Sequence, residues 1–335
     1  MDSLTQIVLG AAVGEAVLGR KVGNKAMLYG AIAGTIPDLD TFAGAFTDTI
    51  TAIEIHRGFT HSIVFSVLFA PVFGWLISKI EHKSIATWKN WSWLMFWGLV
   101  THPLLDAHTT WGTQLLWPLE VRLAYKNIFV IDPLYTLPFL VFLIMAMRQK
   151  RDDPKRRRYN NLGLIISSIY LLIITPGLKL YTYNKFTNAL AEQGIAYKKI
   201  ETKPAPLNTI LWTANVEVED SYLIGDYSLF DSKPIQFVEY PKNHHLLGDW
   251  KDKRNVQRLI KISEGWYTIS EKEGELYFND LRFGTLDPIP RTDSEFAFNY
   301  KLVEENGEIM AEETPKTRGD AKKLLAQLGE RVMGN

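Results

Sequence analysis

The chain has 335 residues, 47% of them apolar and 12% aromatic, which is enough to build a substantial core. Its 37 basic residues balance 37 acidic ones, so no overall positive field favours a nucleic-acid partner. The absence of cysteine excludes disulfides, thiolate metal ligands and a cysteine nucleophile, so any metal must be bound by nitrogen and oxygen atoms.

Residues 1–181 contain apolar segments that polar loops separate. These segments lie at about 4–19, 25–37, 60–79, 91–107, 132–147 and 161–181. The last four approach the roughly 17 to 25 residues that a spanning helix needs. The first two are short and rich in glycine, so residues 4–37 form either two full spans or a re-entrant hairpin. The sequence predicts an α-helical transmembrane bundle of about six spans, the first two short.

Basic residues between the apolar segments predict the orientation of this bundle, because Lys and Arg accumulate in short cytoplasmic loops. They cluster within 20–25, 79–89 and 148–158, which are alternate loops. This count places the loops at 38–59 and 108–131 outside. We expect a multi-pass protein of a bacterial-type cytoplasmic (inner) membrane, with the C-terminal half on the extracytoplasmic side.

Residues 182–335 have the composition of a soluble domain. Short runs rich in β-branched and aromatic residues, at 209–218 and 222–230, are broken by Gly, Pro, Asn and Asp, as in strands of a small antiparallel sheet. Residues 316–333 have the spacing of an amphipathic helix. We therefore expect a transmembrane domain at 1–181 and a β-rich (α+β) extracytoplasmic domain at 182–335.

Three polar clusters interrupt the apolar half, and all three fall on the predicted outer face. They are Pro37-Asp38-Leu39-Asp40, His56-Arg57-Gly58-Phe59-Thr60-His61-Ser62 and Thr101-His102-Pro103-Leu104-Leu105-Asp106-Ala107-His108. The count of basic loops uses none of these residues. Their common location is therefore an independent indication of one shared site.

The residue types in these clusters favour a metal site, because imidazole nitrogen and carboxylate oxygen are the usual zinc ligands when thiolates are absent. His102 and Asp106 are four residues apart and share one helix face. Alone, each candidate is more often a hydrogen-bonded histidine or a helix cap. Together, at the edge of an apolar bundle where an ionised group costs roughly 2.5 to 3.5 kcal/mol at depth, they favour a cation that neutralises them. The predicted ligands are Asp38, Asp40, His56, His61, His102 and Asp106.

The order of these motifs, with Thr109 and Gly112 ahead of Leu116-Trp117-Pro118, resembles the YdjM or YbcI type family of membrane-bound metal-dependent hydrolases over about residues 1–147. The His-Arg-Gly-x-Thr-His-Ser element is the specific part of the resemblance. The resemblance implies a hydrolase and assigns the same six residues to its metal site. The His-x-x-x-Asp pair suggests a remote similarity to zinc-dependent phospholipase C.

Three further residues are possible additions to the site. Members of the family often have a histidine where this chain has Gln6, so a ligand is either lost or replaced by the amide oxygen. His108 stands where other members often have an apolar residue, so we treat it as optional. Asp132, just before Pro133, is either a participant or the N-cap of the next helix.

The leading hypothesis is hydrolysis of a membrane-associated, lipid-like substrate, of which a lipid phosphoester is the first candidate. One or two divalent ions would activate the water, and zinc is the first candidate for the metal. Arg57 would bind the phosphate through two hydrogen bonds, or else a headgroup or carboxylate at the interface. Asp40 or Asp106 would accept the proton of the water. Two other classes stay open. An ion or solute transporter would use the intramembrane Asp and His residues, and a membrane-anchored scaffold would bind a protein partner through its external domain.

Overall fold

The computed structural model describes residues 1–287, 291–292, 294–314 and 321–335. The chain divides into two compact units. The first, which we call the helical domain, comprises Met1–Thr47, Glu54–Gly177 and Pro206–Asn208. The second, the β-rich domain, comprises Asp48–Ile53, Leu178–Ala205 and Thr209–Asn335.

Most helices of the first half follow the apolar segments of the sequence, and two short ones lie within the predicted loop at 38–59. They are α1 (Ser3–Val22), α2 (Asn24–Thr35), α3 (Asp40–Gly44), α4 (Thr49–Ile55), α5 (Ile63–Ile80), α6 (Trp88–Asp106), α7 (Pro133–Met147), α8 (Pro154–Ile169) and α9 (Thr175–Glu192). A π-helical turn, Tyr170–Ile174, joins α8 to α9 in one continuous run. Short 3-10 turns at Pro37–Leu39 and Phe59–His61 precede α3 and α5. These two turns carry two of the three polar clusters.

Helices α1 and α2 form a tight hairpin through their small residues. A Cβ atom on Gly14 would overlap the carbonyl oxygen of Ala26, and one on Gly10 would overlap that of Gly30. The two backbones can approach this closely because neither position has a side chain. The hairpin brings the start of α1 beside the end of α2, where the polar residues begin.

Within the described residues, two helical runs are long and apolar enough to cross a membrane, Ile63–Ile80 and Pro154–Glu192. Helix length and composition do not support the prediction of about six spans. Helix α1 contains Glu15 and basic residues, and α7 is a shorter apolar helix. Only 28% of the apolar window in the first run and 22% in the second are buried. Both runs therefore expose apolar side chains, as lipid-facing helices do.

The predicted β-rich C-terminal region is confirmed. One antiparallel sheet has the order β1 (Lys199–Pro204), β2 (Leu211–Glu217), β3 (Ser221–Ser228) and β4 (Phe237–Pro241), and a second has the order β5 (Tyr267–Lys272), β6 (Glu275–Thr285), β7 (Phe296–Glu305) and β8 (Glu308–Glu313). The predicted strands at 209–218 and 222–230 correspond to β2 and β3. Helix α10 (Arg254–Ile262) lies between the sheets in sequence. The predicted terminal helix is α11 (Ala321–Val332), and residues 315–320 lie outside the described residues.

Both faces of the first sheet are covered, which explains why β3 is buried along its whole length. Trp212 and Val216 on one face pack with Phe186 of α9. Tyr222 and Ile224 on the other face pack with residues of the second sheet and its flanks. Alternation along each strand directs successive side chains into these two cores.

Candidate metal centre

Four side chains from separate parts of the helical domain converge on one point: Asp38, His61, His102 and Asp106. Their ligand atoms all lie within 4.8 Å of one another. Asp38 lies on the turn after α2, His61 on the turn before α5, and the other two on the last turns of α6. Three of the side chains are fully buried and that of Asp38 is 28% exposed. This group, which we call the metal group, could hold a metal ion.

The spacing of the ligand atoms matches the size of a small divalent cation. His61 Nε2 and His102 Nε2 are 3.2 Å apart. Asp38 Oδ1 is 3.3 Å from the first of these nitrogens and 3.4 Å from the second, and Asp106 Oδ2 is 3.5 Å from both. A tetrahedral ion with ligands at about 2.0 to 2.2 Å has corners about 3.3 to 3.6 Å apart. The four residues therefore fit such an ion.

The hydrogen bonds of Asp106 point to the same conclusion. Its Oδ2 atom is buried and has no hydrogen-bond partner, although it lies 3.5 Å from Arg57 Nε. A buried carboxylate oxygen without a partner is costly, so most such atoms in proteins are satisfied. A cation among the four side chains would satisfy it.

Contacts behind the two histidines direct their Nε2 atoms toward the metal group. His102 Nδ1 is 2.6 Å from the carbonyl oxygen of Gly34. Since a carbonyl can only accept, Nδ1 is the nitrogen that donates to it, and Nε2 is the nitrogen that faces the metal group. His61 Nδ1 lies 3.1 Å from Thr60 Oγ1 and 3.3 Å from Asp40 Oδ2. A carboxylate behind a metal-binding imidazole is the usual way to fix its orientation.

Asp40 and His56, two of the predicted ligands, lie beside the metal group rather than within it. His56 Nδ1 is 2.8 Å from Asp40 Oδ1. The other carboxylate oxygen of Asp40 accepts from the backbone N–H of Arg57 at 3.1 Å and from Thr60 Oγ1 at 2.8 Å. Asp40 thus fixes, through these hydrogen bonds, the conformation of the segment that contains His61. The roles of Asp40 and His56 as ligands stay predictions.

Arg57 is buried and fixed at several points. Its Nη1 donates to Thr109 Oγ1 at 2.9 Å and to the carbonyl oxygen of Gly112 at 3.4 Å. Its backbone has a φ of 64°, a left-handed conformation that is uncommon outside glycine and that often marks functional sites. These contacts place its guanidinium beside the Asp106 carboxylate.

Gln6 also reaches the metal group. Its Nε2 donates to Asp106 Oδ1 at 3.0 Å and to the carbonyl oxygen of His102 at 3.3 Å. Its Oε1 is buried without a hydrogen-bond partner. The amino nitrogen of Met1 contacts the same Oδ1 atom of Asp106. Gln6 therefore has an amide oxygen available beside the centre.

The other two optional residues, His108 and Asp132, are engaged elsewhere in the helical domain. His108 Nδ1 is 2.9 Å from Asn127 Oδ1. Asp132 caps α7, where its Oδ1 accepts from the backbone N–H of Leu134 at 2.8 Å, and its Oδ2 accepts from the hydroxyl of Tyr170 at 2.9 Å. The N-cap interpretation of Asp132 matches these contacts, and its participation in the site, like that of His108, stays a prediction.

Some positioning groups were not singled out from the sequence. Thr60 lies inside the His-Arg-Gly-x-Thr-His-Ser element, so its position in that motif was the available signal. Thr109 follows the third cluster, and the signal for it in the sequence is its place in the motif order of the family resemblance. The Gly34 carbonyl carries no sequence signal, because every residue has one.

The carboxylates of Asp38 and Asp40, which lie outside the two membrane-length runs, are both held in the ionised form. Burial acts to raise the pKa of Asp38, but hydrogen bonds from His102 and His61 outweigh it and hold that pKa well below its usual range. The same balance holds for Asp40, whose low pKa follows from its hydrogen bonds to His56 and His61. Both groups are therefore anionic at neutral pH, as a cation site requires.

The fold and the site define a helical protein with two membrane-length apolar runs and a buried Asp-His-His-Asp group. A family model for the YdjM inner membrane protein matches residues 1–179, more than half of the chain. The chain belongs to this family, which confirms the resemblance seen in the motifs. No curated protein and no solved structure matches it.

Proposed function

We propose that this protein is a membrane-embedded, metal-dependent hydrolase that acts on a lipid phosphoester. The observation that carries the proposal is the metal group, in which four N and O ligand atoms lie at the spacing of a small divalent ion. Zinc is the first candidate because the ligands are two imidazoles and two carboxylates. A bound ion would supply the chemistry of a Lewis acid, lowering the pKa of water and polarising a phosphoryl oxygen.

The surrounding residues have roles that follow from their contacts. Asp38, His61, His102 and Asp106 would hold the ion. Asp40 would orient His61 and, if a water reaches it, accept a proton. Arg57 Nη1 donates to Thr109, and Nε lies 3.5 Å from Asp106 Oδ2 without a hydrogen bond, so Nη2 is the nitrogen that would donate to a phosphate oxygen.

A lipid substrate is supported by apolar surface that follows the first ligands in the chain. Leu39 is 53% exposed, Phe42 68% and Phe46 90%. Large apolar side chains this exposed, immediately after Asp38 and Asp40, are suited to contact acyl chains rather than water. A water-soluble phosphoester would not need such a surface.

The proposed orientation is multi-pass, with the metal group and the β-rich domain outside the cytoplasmic membrane. The absence of cysteine makes this directly testable by single-cysteine labelling. In intact cells, an impermeant maleimide should label Lys233→Cys in the β-rich domain and should label Lys83→Cys, between α5 and α6, only after permeabilisation. Labelling of Lys83→Cys alone in intact cells would invert the topology.

The function itself is tested on purified full-length protein in detergent. The metal content is measured by mass spectrometry, and turnover is measured with mixed phospholipids and with a simple phosphodiester. We expect about one or two equivalents of bound metal, phosphoester hydrolysis, and loss of both in His61→Ala/His102→Ala.

The matched control is His82→Ala, because His82 is exposed and lies outside the metal group. It should keep wild-type metal content and turnover. Equal metal content in the wild type and the double variant would show that the site does not exist. Ion or solute flux into proteoliposomes without hydrolysis would favour the transporter.

A further inference from the structure

The loop that connects the first two ligand-bearing turns contributes a segment to the β-rich domain. Asp48–Ile53 belongs to that domain, whereas the residues before and after it belong to the helical domain. The chain thus leaves the helical domain after Thr47 and returns at Glu54. We call Asp48–Ile53 the tether.

The tether is built into the core of the β-rich domain rather than laid on its surface. Ile50 is 1% exposed and lies in one apolar cluster with Leu247, Val256 and Leu259. Ile53 packs against the same cluster. A side chain buried this fully among residues about 200 positions away is held by the folded domain.

Polar contacts fix the tether in the same place. Thr51 Oγ1 accepts from Arg258 Nη2 at 2.9 Å. Asp48 caps the start of α4, accepting from the backbone N–H of Thr51 at 3.0 Å and from its hydroxyl at 2.5 Å. The segment therefore has a defined conformation where it enters the domain.

The covalent connections of the tether lead to the metal group on both sides. Only Glu54 and Ile55 separate Ile53 from His56 and Arg57, and His61 follows on the next turn. In the other direction, the chain reaches Asp40 eight residues before Asp48. Any movement of the tether must therefore be taken up by short stretches that bear His56, Arg57 and Asp40.

We propose that the β-rich domain positions the metal group through the tether, so that the state of this domain sets the metal affinity of the helical domain. This inference rests on the metal-binding part of the proposed function and not on hydrolysis. Asp40, His56, Arg57, Thr60 and His61 are the residues whose placement it explains. No tether residue belongs to the metal group, so the tether residues act as positioning residues.

The decisive experiment lengthens the connection without altering either core. Six Gly and Ser residues are inserted after Ile53 in the full-length protein, and the same insert after Arg151, in the loop between α7 and α8, is the control. Zinc affinity is measured by competition with a chromophoric chelator, and hydrogen exchange of the peptide 54–62 is measured in the metal-free protein. We expect at least a tenfold lower affinity and faster exchange for the first insertion and wild-type values for the second.

Side-chain variants on one helix provide a matched series. Ile50→Ala should weaken zinc binding, Ile50→Val should restore most of it, and Ile55→Ala should have no effect, since Ile55 is 37% exposed and lies outside the tether. The insertion after Ile53 decides the question even if Ile50→Ala does not fold.

Wild-type affinity and wild-type exchange in the Ile53 insertion would overturn the tether proposal. A wild-type protein that binds no zinc would instead overturn the proposed function, so the two failures are distinguishable. Faster exchange of 54–62 in the insertion variant of a protein without zinc affinity would still support the positioning role.

Discussion

Two groups of buried charged residues, one from each domain, satisfy their charges differently. In the β-rich domain Arg282 Nη2 donates to Asp280 Oδ2 at 2.7 Å and Nε donates to Oδ1 at 3.1 Å. In the metal group four ligand atoms converge and Asp106 Oδ2 has no hydrogen-bond partner. A closed pair leaves no buried charge without a partner, whereas converging acceptors of the second kind indicate a binding site for a cation.

The largest effect should come from opening the closed pair. Arg282→Met leaves the buried Asp280 carboxylate unpaired, so the free energy of unfolding of the β-rich domain should fall by about 3 to 5 kcal/mol. Urea denaturation followed by tryptophan fluorescence measures this. Lys301→Met, which removes a solvent-screened ion pair with Glu275, should lower the free energy of unfolding far less than Arg282→Met does.

Equal free energies of unfolding for Arg282→Met and the wild type would mean that Arg282 does not compensate the buried charge of Asp280. Zinc affinity of Arg282→Met should keep its wild-type value at temperatures where the β-rich domain stays folded.

A smaller effect on stability, but a large one on binding, is expected in the metal group. Structural zinc sites bind with about 10 to 16 kcal/mol, or about 2.5 to 4 kcal/mol for each of four ligands, so Asp38→Asn should lower zinc affinity by about 100-fold or more. The free energy of unfolding of the metal-free protein should change by less than about 1 kcal/mol, because Asp38 is partly exposed and its loss leaves no buried charge unpaired. Chelator competition and denaturation in EDTA measure the two quantities. A variant destabilised without loss of affinity would make Asp38 structural.

The pH dependence of the β-rich domain provides a third test, on the buried carboxyl group of Asp226, whose Oδ2 atom has no hydrogen-bond partner. Burial raises the pKa of Asp226 from 3.8 to about 6, and the hydrogen bond from Thr213 only partly offsets this. The folded state therefore binds the proton more tightly than the unfolded state. The free energy of unfolding should fall as pH rises from about 4 to about 6, by as much as about 3 kcal/mol.

Asp226→Asn should remove this slope and raise the melting temperature at pH 7.5, with the exposed Asp249→Asn as the control. Thermal denaturation between pH 4.5 and 7.5 follows both variants. A less stable Asp226→Asn protein at pH 7.5 would contradict the assignment.

The smallest effect should distinguish the residues around the metal group from its members. Asp40→Asn removes the carboxylate behind His61, and loss of such an outer partner typically costs 10- to 100-fold in metal affinity. The metal content at saturation should not change. A fall from two equivalents of metal to one would instead make Asp40 a ligand, as the sequence predicted. Titration with zinc separates the two outcomes.

Local patterns predicted much of the site. The four-residue spacing of His102 and Asp106 put both on one helix face, and the His-Arg-Gly-x-Thr-His-Ser element identified His61 and the family. The choice between Asp38 and Asp40 could not be made from sequence, since two carboxylates on one turn point to different partners only after folding. Hydropathy likewise marked six apolar segments, but helix length and composition supported two membrane-length runs.

The sequence by itself determined which atoms could bind a metal, the β-rich character of the second half and the family, because residue type, alternation and short motifs are local properties. Tertiary structure decided that Asp38 and His61 meet His102 while Asp40 turns to His56, since these contacts join residues 16 to 64 positions apart along the chain. It also decided that Asp48–Ile53 belongs to the β-rich domain. The sequence of a short apolar segment does not specify which hydrophobic core it joins, because burial depends on the neighbours that folding brings to it.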